Sequence, residues 1–145
     1  MKKIFIYYSM YGNGDLISDI YKEKGYEIRK VNSKVNYPKK MFPLMMIGGF
    51  KALFKIKDKL VDFDNNIDNY DEIVIGTPIW FDRVSAPINS VLKVLNLSNK
   101  KVSFVFWSAS GNATKAVERI SKEYNTNITI LKEPKKNKDE LKKIS

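Results

Sequence analysis

Short apolar runs alternate along the chain with segments whose apolar residues recur three or four positions apart. The clearest runs are residues 4–8, 73–76 and 102–107, and each is followed by small or polar residues. Runs of this length predict strands that are buried on both faces of a sheet. Weaker strand patterns at residues 26–31 and 128–131 bring the expected number of strands to five.

The segments between these strands predict amphipathic helices, because their apolar residues form one stripe at helical spacing. The three clearest stripes are Leu16, Ile17, Ile20 and Tyr21; Ile88, Val91, Leu92 and Leu95; and Ala113, Ala116, Val117 and Ile120. Ser85 is a candidate N-cap of the second of these helices, with Pro87 in its first turn. We expect the stripes to pack on the sheet.

Two segments are less regular. Residues 37–60 contain prolines and a Met-rich run, and there we expect a loop followed by one helix with Phe50, Leu53 and Phe54 on one face. The lysine-rich residues 132–145 have few apolar anchors, so they form either a short helix or a frayed basic end. Neither segment has the composition of an inter-domain linker. We therefore expect residues 1–145 to form a single domain.

The alternation of strands and helices predicts an α/β fold, in which a doubly wound parallel sheet carries helices on both faces. In such sheets, ligands bind beyond the carboxyl ends of the strands, at the point where the strand order reverses. The loops after the first, third and fourth predicted strands are therefore the candidate ligand site.

The composition excludes several kinds of chemistry. The chain contains no cysteine and no histidine, which excludes disulfides, Cys/His zinc sites and nucleophiles activated by histidine. We accordingly predict no catalytic side chain and no metal ligand. Any redox activity must then come from a bound cofactor.

Charge is unevenly distributed along the chain. Lys and Arg number 26 against 16 Asp and Glu, which gives a formal net charge of +10. Residues 34–59 carry seven lysines and one aspartate, whereas residues 61–82 carry six acids and no base. A basic protein of this kind favours anionic ligands and partners with acidic surfaces.

The basic segment from Lys34 to Lys59 has two interpretations. Its helix either covers the sheet with a solvated lysine face, or forms a basic amphipathic helix that lies on an anionic membrane. For nucleic acid the sequence offers charge without a recognition motif, so no nucleic-acid partner is expected. The uncharged apolar stretch at residues 41–50 is far shorter than the roughly 18 residues of a spanning helix. We expect a cytoplasmic protein without a transmembrane segment.

The first candidate loop has the features of an anion site. It combines polar side chains and two glycines with the start of a helix, in the order Ser9, Met10, Tyr11, Gly12, Asn13 and Gly14. Exposed amides and the helix dipole attract phosphate at such a place. The loop lacks the lysine of the ATP- and GTP-binding motif and the G-x-G-x-x-G spacing of dinucleotide sites. The alternative is a simple connection between strand and helix.

The second and third loops offer contacts to a planar ligand. The second is Thr77, Pro78, Ile79, Trp80 and Phe81; the third is Ser108, Ala109, Ser110 and Gly111. Trp80 and Phe81 either stack on the ligand or pack on neighbouring helices. The small residues of the third loop let backbone amides approach a flat ring, or they cap the next helix through Ser110 or Asn112.

Together these loops resemble those of the flavodoxin family, in its short-chain branch, over roughly residues 4–130. The first loop is similar to the family's S-x-T-G-N-T phosphate loop and differs at Tyr11 and Gly14, where the family has threonines. Residues 70–80 resemble the family's third strand and flavin-contacting loop most closely. The third loop is similar to the family's Thr-Ser-Gly-Gly type.

The resemblance implies the strand order 2-1-3-4-5, FMN as the cofactor, and the three loops as its binding residues. It implies an electron carrier that meets a redox partner, and the basic charge suggests that this partner has an acidic docking face. The alternatives are a small FMN-dependent reductase and a basic binding module without flavin. Because each missing charge-assisted hydrogen bond is worth about 1.5–3 kcal/mol, we expect weakened FMN affinity.

Overall fold

The structure is a computed structural model that describes residues 1–35 and 59–145. Its strands are β1 (Lys3–Tyr7), β2 (Glu27–Lys30), β3 (Glu72–Trp80), β4 (Arg83–Val84), β5 (Lys101–Ser108) and β6 (Asn127–Lys132). Its helices are α1 (Asn13–Glu23), α2 (Ala86–Val94) and α3 (Thr114–Tyr124), followed by a 3₁₀ helix (Lys138–Lys143). The expected helix with Phe50, Leu53 and Phe54 lies outside the described residues.

Five strands form a parallel sheet in the order β2-β1-β3-β5-β6, which confirms the predicted doubly wound sheet and its order. The order reverses between β1 and β3, the neighbours whose register pairs Tyr7 with Gly76. The sequence did not predict the sixth strand. This strand, β4, is only two residues long and pairs antiparallel with the end of β3.

Alternating residues of the central strands face two separate cores. On one face Ile4, Ile73 and Phe104 pack with apolar residues of α2 and α3. On the other face Phe5 and Val74 pack with residues of α1 and the C-terminal segment. Because both faces are covered, the strands read as continuous apolar runs, and the sequence shows them clearly.

The lysine-rich C-terminal segment is folded onto the α1 face of the sheet. Ile144 is buried there, and Leu141 packs against the same cluster. Lys24 Nζ, at the C-cap of α1, donates to the Ile144 carbonyl at 2.9 Å. Of the two alternatives for residues 132–145, the structure has the short helix, in 3₁₀ form.

The candidate helix caps have different outcomes, since Ser85 is confirmed at its N-cap position and Ser110 or Asn112 is not. Ser85 does stand at the N-cap of α2, but its hydroxyl makes no capping bond and instead lies 2.9 Å from Thr77 Oγ1. Ala113, rather than Ser110 or Asn112, precedes α3. The first amides of α3 instead donate to Asp82 in the β3–β4 turn, which acts as a cap from outside the helix.

Within residues 1–35 and 59–145, no helix combines the length and apolar content needed to cross a bilayer.

Candidate functional site

The three candidate loops meet at one edge of the sheet. Parallel pairing aligns the carboxyl ends of β1, β3 and β5, so that Tyr7 lies beside Gly76 and Pro78 beside Trp107. A small cleft of about 100 Å³ opens at this edge. It is lined by Met10, Tyr11, Asn13, Pro78, Ile79, Trp80, Trp107, Ser108, Ala109 and Glu133. Members of all three predicted loops therefore share one surface.

The first loop turns the chain into α1 through two glycines with different roles. Gly12 occupies the N-cap with φ of 87°, in the left-handed region that favours glycine. Gly14 donates its amide to Ser9 Oγ at 3.0 Å. A Cβ on Gly14 would lie 2.7 Å from Ser9 Cβ and from the Tyr7 ring. Packing therefore excludes a threonine at this position.

An acidic side chain lies in the first turn of α1. Asp15 accepts hydrogen bonds from the Tyr7 hydroxyl at 2.6 Å and from Lys30 Nζ at 2.8 Å. Burial alone would raise the pKa of Asp15, but these hydrogen bonds and the charges of Lys30 and Lys135 hold that pKa below its ordinary value. Burial and the bond to Asp15 raise the pKa of Tyr7 to about 12. Asp15 is thus ionised at neutral pH, with Lys30 beside it.

A lysine that sequence reasoning missed lies across the first loop. The backbone N–H of Lys135 donates to Asn13 Oδ1 at 2.8 Å, and its Nζ donates to the Tyr11 carbonyl at 3.2 Å. The same Nζ would be 3.5 Å from a Cβ on Gly12. The sequence showed only that the segment around Lys135 is basic. Its contact with Asn13, 122 positions away, cannot be predicted from a local pattern.

The second predicted loop is largely a strand, because β3 continues through Trp80 and pairs there with β4. Thr77 is fully buried, and its hydroxyl bonds to Ser85 and to the Pro78 carbonyl. This hydroxyl is therefore directed into the protein. Pro78 and Ile79 line the cleft.

The two aromatic residues of the second loop differ in placement. Trp80 is buried in the core and meets the Tyr8 ring edge-on at 5.9 Å, so packing is its main role even though it lines part of the cleft. Phe81 is 53% exposed and is not among the described residues that line the cleft. Phe81 and Asp82 both have positive φ, at 50° and 59°, as a tight hairpin turn requires.

The third loop is stabilised by its own serines. Ser108 Oγ accepts the Gly111 amide at 2.9 Å, and Ser110 Oγ accepts the Asn112 amide at 3.1 Å. Gly111 has φ of 81° and would carry a Cβ 3.2 Å from that of Lys132. Ser108 and Ala109 line the cleft, whereas Ser110 and Gly111 shape the turn outside the set of described lining residues.

No known protein-family model matches the chain, and no curated protein matches it significantly. Solved structures do match, among them a candidate flavoprotein from Bacteroides uniformis, with a TM-score of 0.73 and 18% identity over 90% of both chains. A candidate flavoprotein from Bacteroides eggerthii has a TM-score of 0.72 and 19% identity over 99% of this chain and 97% of its own.

A flavoprotein from Lactobacillus acidophilus, solved in complex with FMN, has a TM-score of 0.68 and 23% identity over 95% of this chain and 97% of its own. The strand order of this chain is the flavodoxin-like order, which agrees with its similarity to these flavoproteins. The chain has a flavodoxin-like fold. In flavodoxin-like sheets the ligand region lies at the reversal of strand order, and the cleft between β1 and β3 occupies that place.

Proposed function

We propose that the protein binds FMN at the three-loop cleft and serves as an electron carrier. The observation that carries this proposal is the convergence, at the reversal point of a flavodoxin-like sheet, of an open helix start and a loop of small residues. A flavoprotein of the same fold, from Lactobacillus acidophilus, was crystallised in complex with FMN.

The residues present fit the two ends of such a ligand. At the phosphate end, Gly12 places no capping side chain over the start of α1, where the first amides of a helix lack intrahelical partners. The Gly14 amide donates to Ser9 Oγ at 3.0 Å and so shapes the loop. At the ring end, Pro78 and Trp80 offer apolar surface opposite the small residues Ser108 and Ala109. The cleft between the described residues has a volume of about 100 Å³, less than the 300–1,000 Å³ typical of ligand pockets. These residues would therefore contact a bound ligand along one side only.

Bound FMN would supply the redox chemistry, and the chain would supply position and environment. The residues described at the cleft include Glu133 but no histidine or cysteine. Among the described residues no cluster is arranged to hold a metal ion. In a carrier, the protein would orient the cofactor and a second protein would exchange electrons with it.

The charge of the chain supports a partner with an acidic docking face. The formal net charge is +10, and long-range attraction of opposite charges speeds the encounter of redox proteins. The expected consequence is an electron-transfer rate that falls as salt is added, because mobile ions screen exposed charges beyond about 10 Å at 0.1 M.

The test is an FMN titration of the purified protein, followed by flavin fluorescence and the visible spectrum. We expect FMN fluorescence to be quenched with saturation in the micromolar range or below. Absence of both copurifying flavin and quenching at millimolar FMN would overturn the proposal. Repeated turnover of NADH or NADPH with a quinone, without a second protein, would replace the carrier by a small reductase. Binding to anionic vesicles without flavin binding would favour the basic binding module instead.

A further inference from the structure

We propose that Lys135 is the cationic ligand of the phosphate monoester at the first loop, so that the site distinguishes FMN from riboflavin by charge. This inference rests on the proposed function. It assigns to a residue of the C-terminal segment the part that threonine hydroxyls play in the phosphate loop that this chain resembles.

Lys135 reaches the rim of the first loop from outside the loop. Its Nζ bonds to the Tyr11 carbonyl, and it approaches Gly12 at the N-cap of α1. Within the described residues, the Nζ hydrogen-bond partner is a neutral carbonyl, and no carboxylate lies at ion-pair distance from it. Its positive charge acts on Asp15, whose pKa it helps to lower, and would act in the same way on an anion at the start of α1.

The segment that carries Lys135 is held in place at several points. The Lys132 amide donates to Glu140 Oε1 at 2.7 Å, and Asn137 Nδ2 donates to the Lys132 carbonyl at 3.1 Å. Pro134, directly before Lys135, is buried. The Lys135 amide itself bonds to Asn13. The ammonium group is thus presented by a folded segment, which lowers the entropy lost when it binds a ligand.

The first loop has fewer hydroxyl donors than the phosphate loop that it resembles, because Gly14 stands where that loop has a threonine. Gly14 carries no side chain, and its amide is occupied by a hydrogen bond to Ser9 Oγ. Asp15 adds a negative charge in the same turn of the helix. Lys30 is engaged with that carboxylate at 2.8 Å, so Lys135 is the remaining described lysine placed at the rim of the loop.

The experiment compares FMN and riboflavin, which differ only in the phosphate, on the full chain. Wild type, Lys135→Gln and Lys136→Gln are titrated by flavin fluorescence at low salt. The control Lys136→Gln removes the same charge one position away, from a lysine that is exposed and 3.6 Å from Glu133. We expect Lys135→Gln to weaken FMN by about tenfold or more, because a charge-assisted hydrogen bond is lost. Riboflavin affinity should stay within about twofold in all three proteins.

Inorganic phosphate provides an independent arm. It should compete with FMN on the wild type and compete much less on Lys135→Gln, without displacing riboflavin from either. The role of Lys135 is refuted if its substitution leaves FMN unchanged, weakens both flavins equally, or has no more effect than Lys136→Gln. Failure of the proposed function looks different, because the wild type would then bind neither flavin, and both proposals would fall together.

Discussion

The β3–β4 hairpin and the first loop stand side by side at the cleft, yet they are built in opposite ways. The hairpin resembles the flavodoxin family most closely in sequence, but its Thr77 hydroxyl and Trp80 ring are directed mainly into the protein. The first loop departs from the family pattern, and there Gly12 opens the start of a helix next to Lys135. Sequence resemblance at a site therefore reports internal packing as readily as ligand contact.

The largest expected effect tests whether the β3–β4 hairpin packs its tryptophan in the core. Trp80→Ala should lower the free energy of unfolding by about 3–5 kcal/mol, because it removes a large buried side chain from the core. Phe81→Ala is the matched control, since Phe81 is exposed at the adjacent position, and it should change stability by less than about 1 kcal/mol. Urea unfolding followed by far-UV circular dichroism measures both. Equal losses would mean that Trp80 is not a core residue.

A smaller effect tests the packing of the first loop. Gly14→Ala places a Cβ 2.7 Å from Ser9 Cβ and the Tyr7 ring, so we expect a loss of about 1–3 kcal/mol in stability together with weaker FMN binding. Gly25→Ala is the control for backbone strain without crowding, because its φ of 85° disfavours alanine, whereas Gly14 has no positive φ, and no atom lies within 4 Å of its Cβ position. It should lower stability and leave FMN affinity unchanged. Thermal unfolding and FMN titration separate the two outcomes, and wild-type behaviour of Gly14→Ala would contradict the packing.

The smallest effect concerns the acid in the first turn of α1. The pKa of Asp15 is lower in the folded protein than its ordinary value of 3.8. Its contribution to stability is therefore present above about pH 4 and is lost as pH falls through the folded pKa. Asp15→Asn should cost less than about 1 kcal/mol at pH 7, the usual limit for an exposed ion pair. The difference from wild type should shrink towards pH 3 in urea unfolding at a series of pH values, and a difference that grew on acidification would contradict the lowered pKa.

Sequence predicted the main sheet well because its strands are buried on both faces and therefore appear as apolar runs. It missed β4, since the two residues Arg83 and Val84 are too short to show a pattern. It also treated Thr77 to Trp80 as a loop, because the proline there suggests the end of a strand, whereas pairing with β4 extends β3. Local pattern contains no information on that antiparallel partner.

The structure brings the three predicted loops together, whereas the binding role of each side chain stays a prediction. The three loops do share one cleft, as the parallel topology requires. Phe81, which was predicted to bind the cofactor, lies outside the described lining of the cleft, and its contact with a ligand stays a prediction. Lys135, for which no role was predicted, reaches the first loop. Asp82, likewise, caps α3 from a distant turn. The contacts of Lys135 and Asp82 join segments far apart in the chain, and periodicity and spacing do not encode such contacts.

The bond between Lys135 and Asn13 has a consequence for the order in which the protein matures. The two residues are 122 positions apart, so a ribosome working at about 5–20 residues per second makes the second one roughly 6–25 seconds after the first. During that time β1 and α1 can emerge, but the rim of the first loop lacks its lysine. If Lys135 holds the phosphate of FMN as proposed, a nascent chain arrested before Pro134 would lack that cation, and selective loading of FMN would be a late event in biosynthesis.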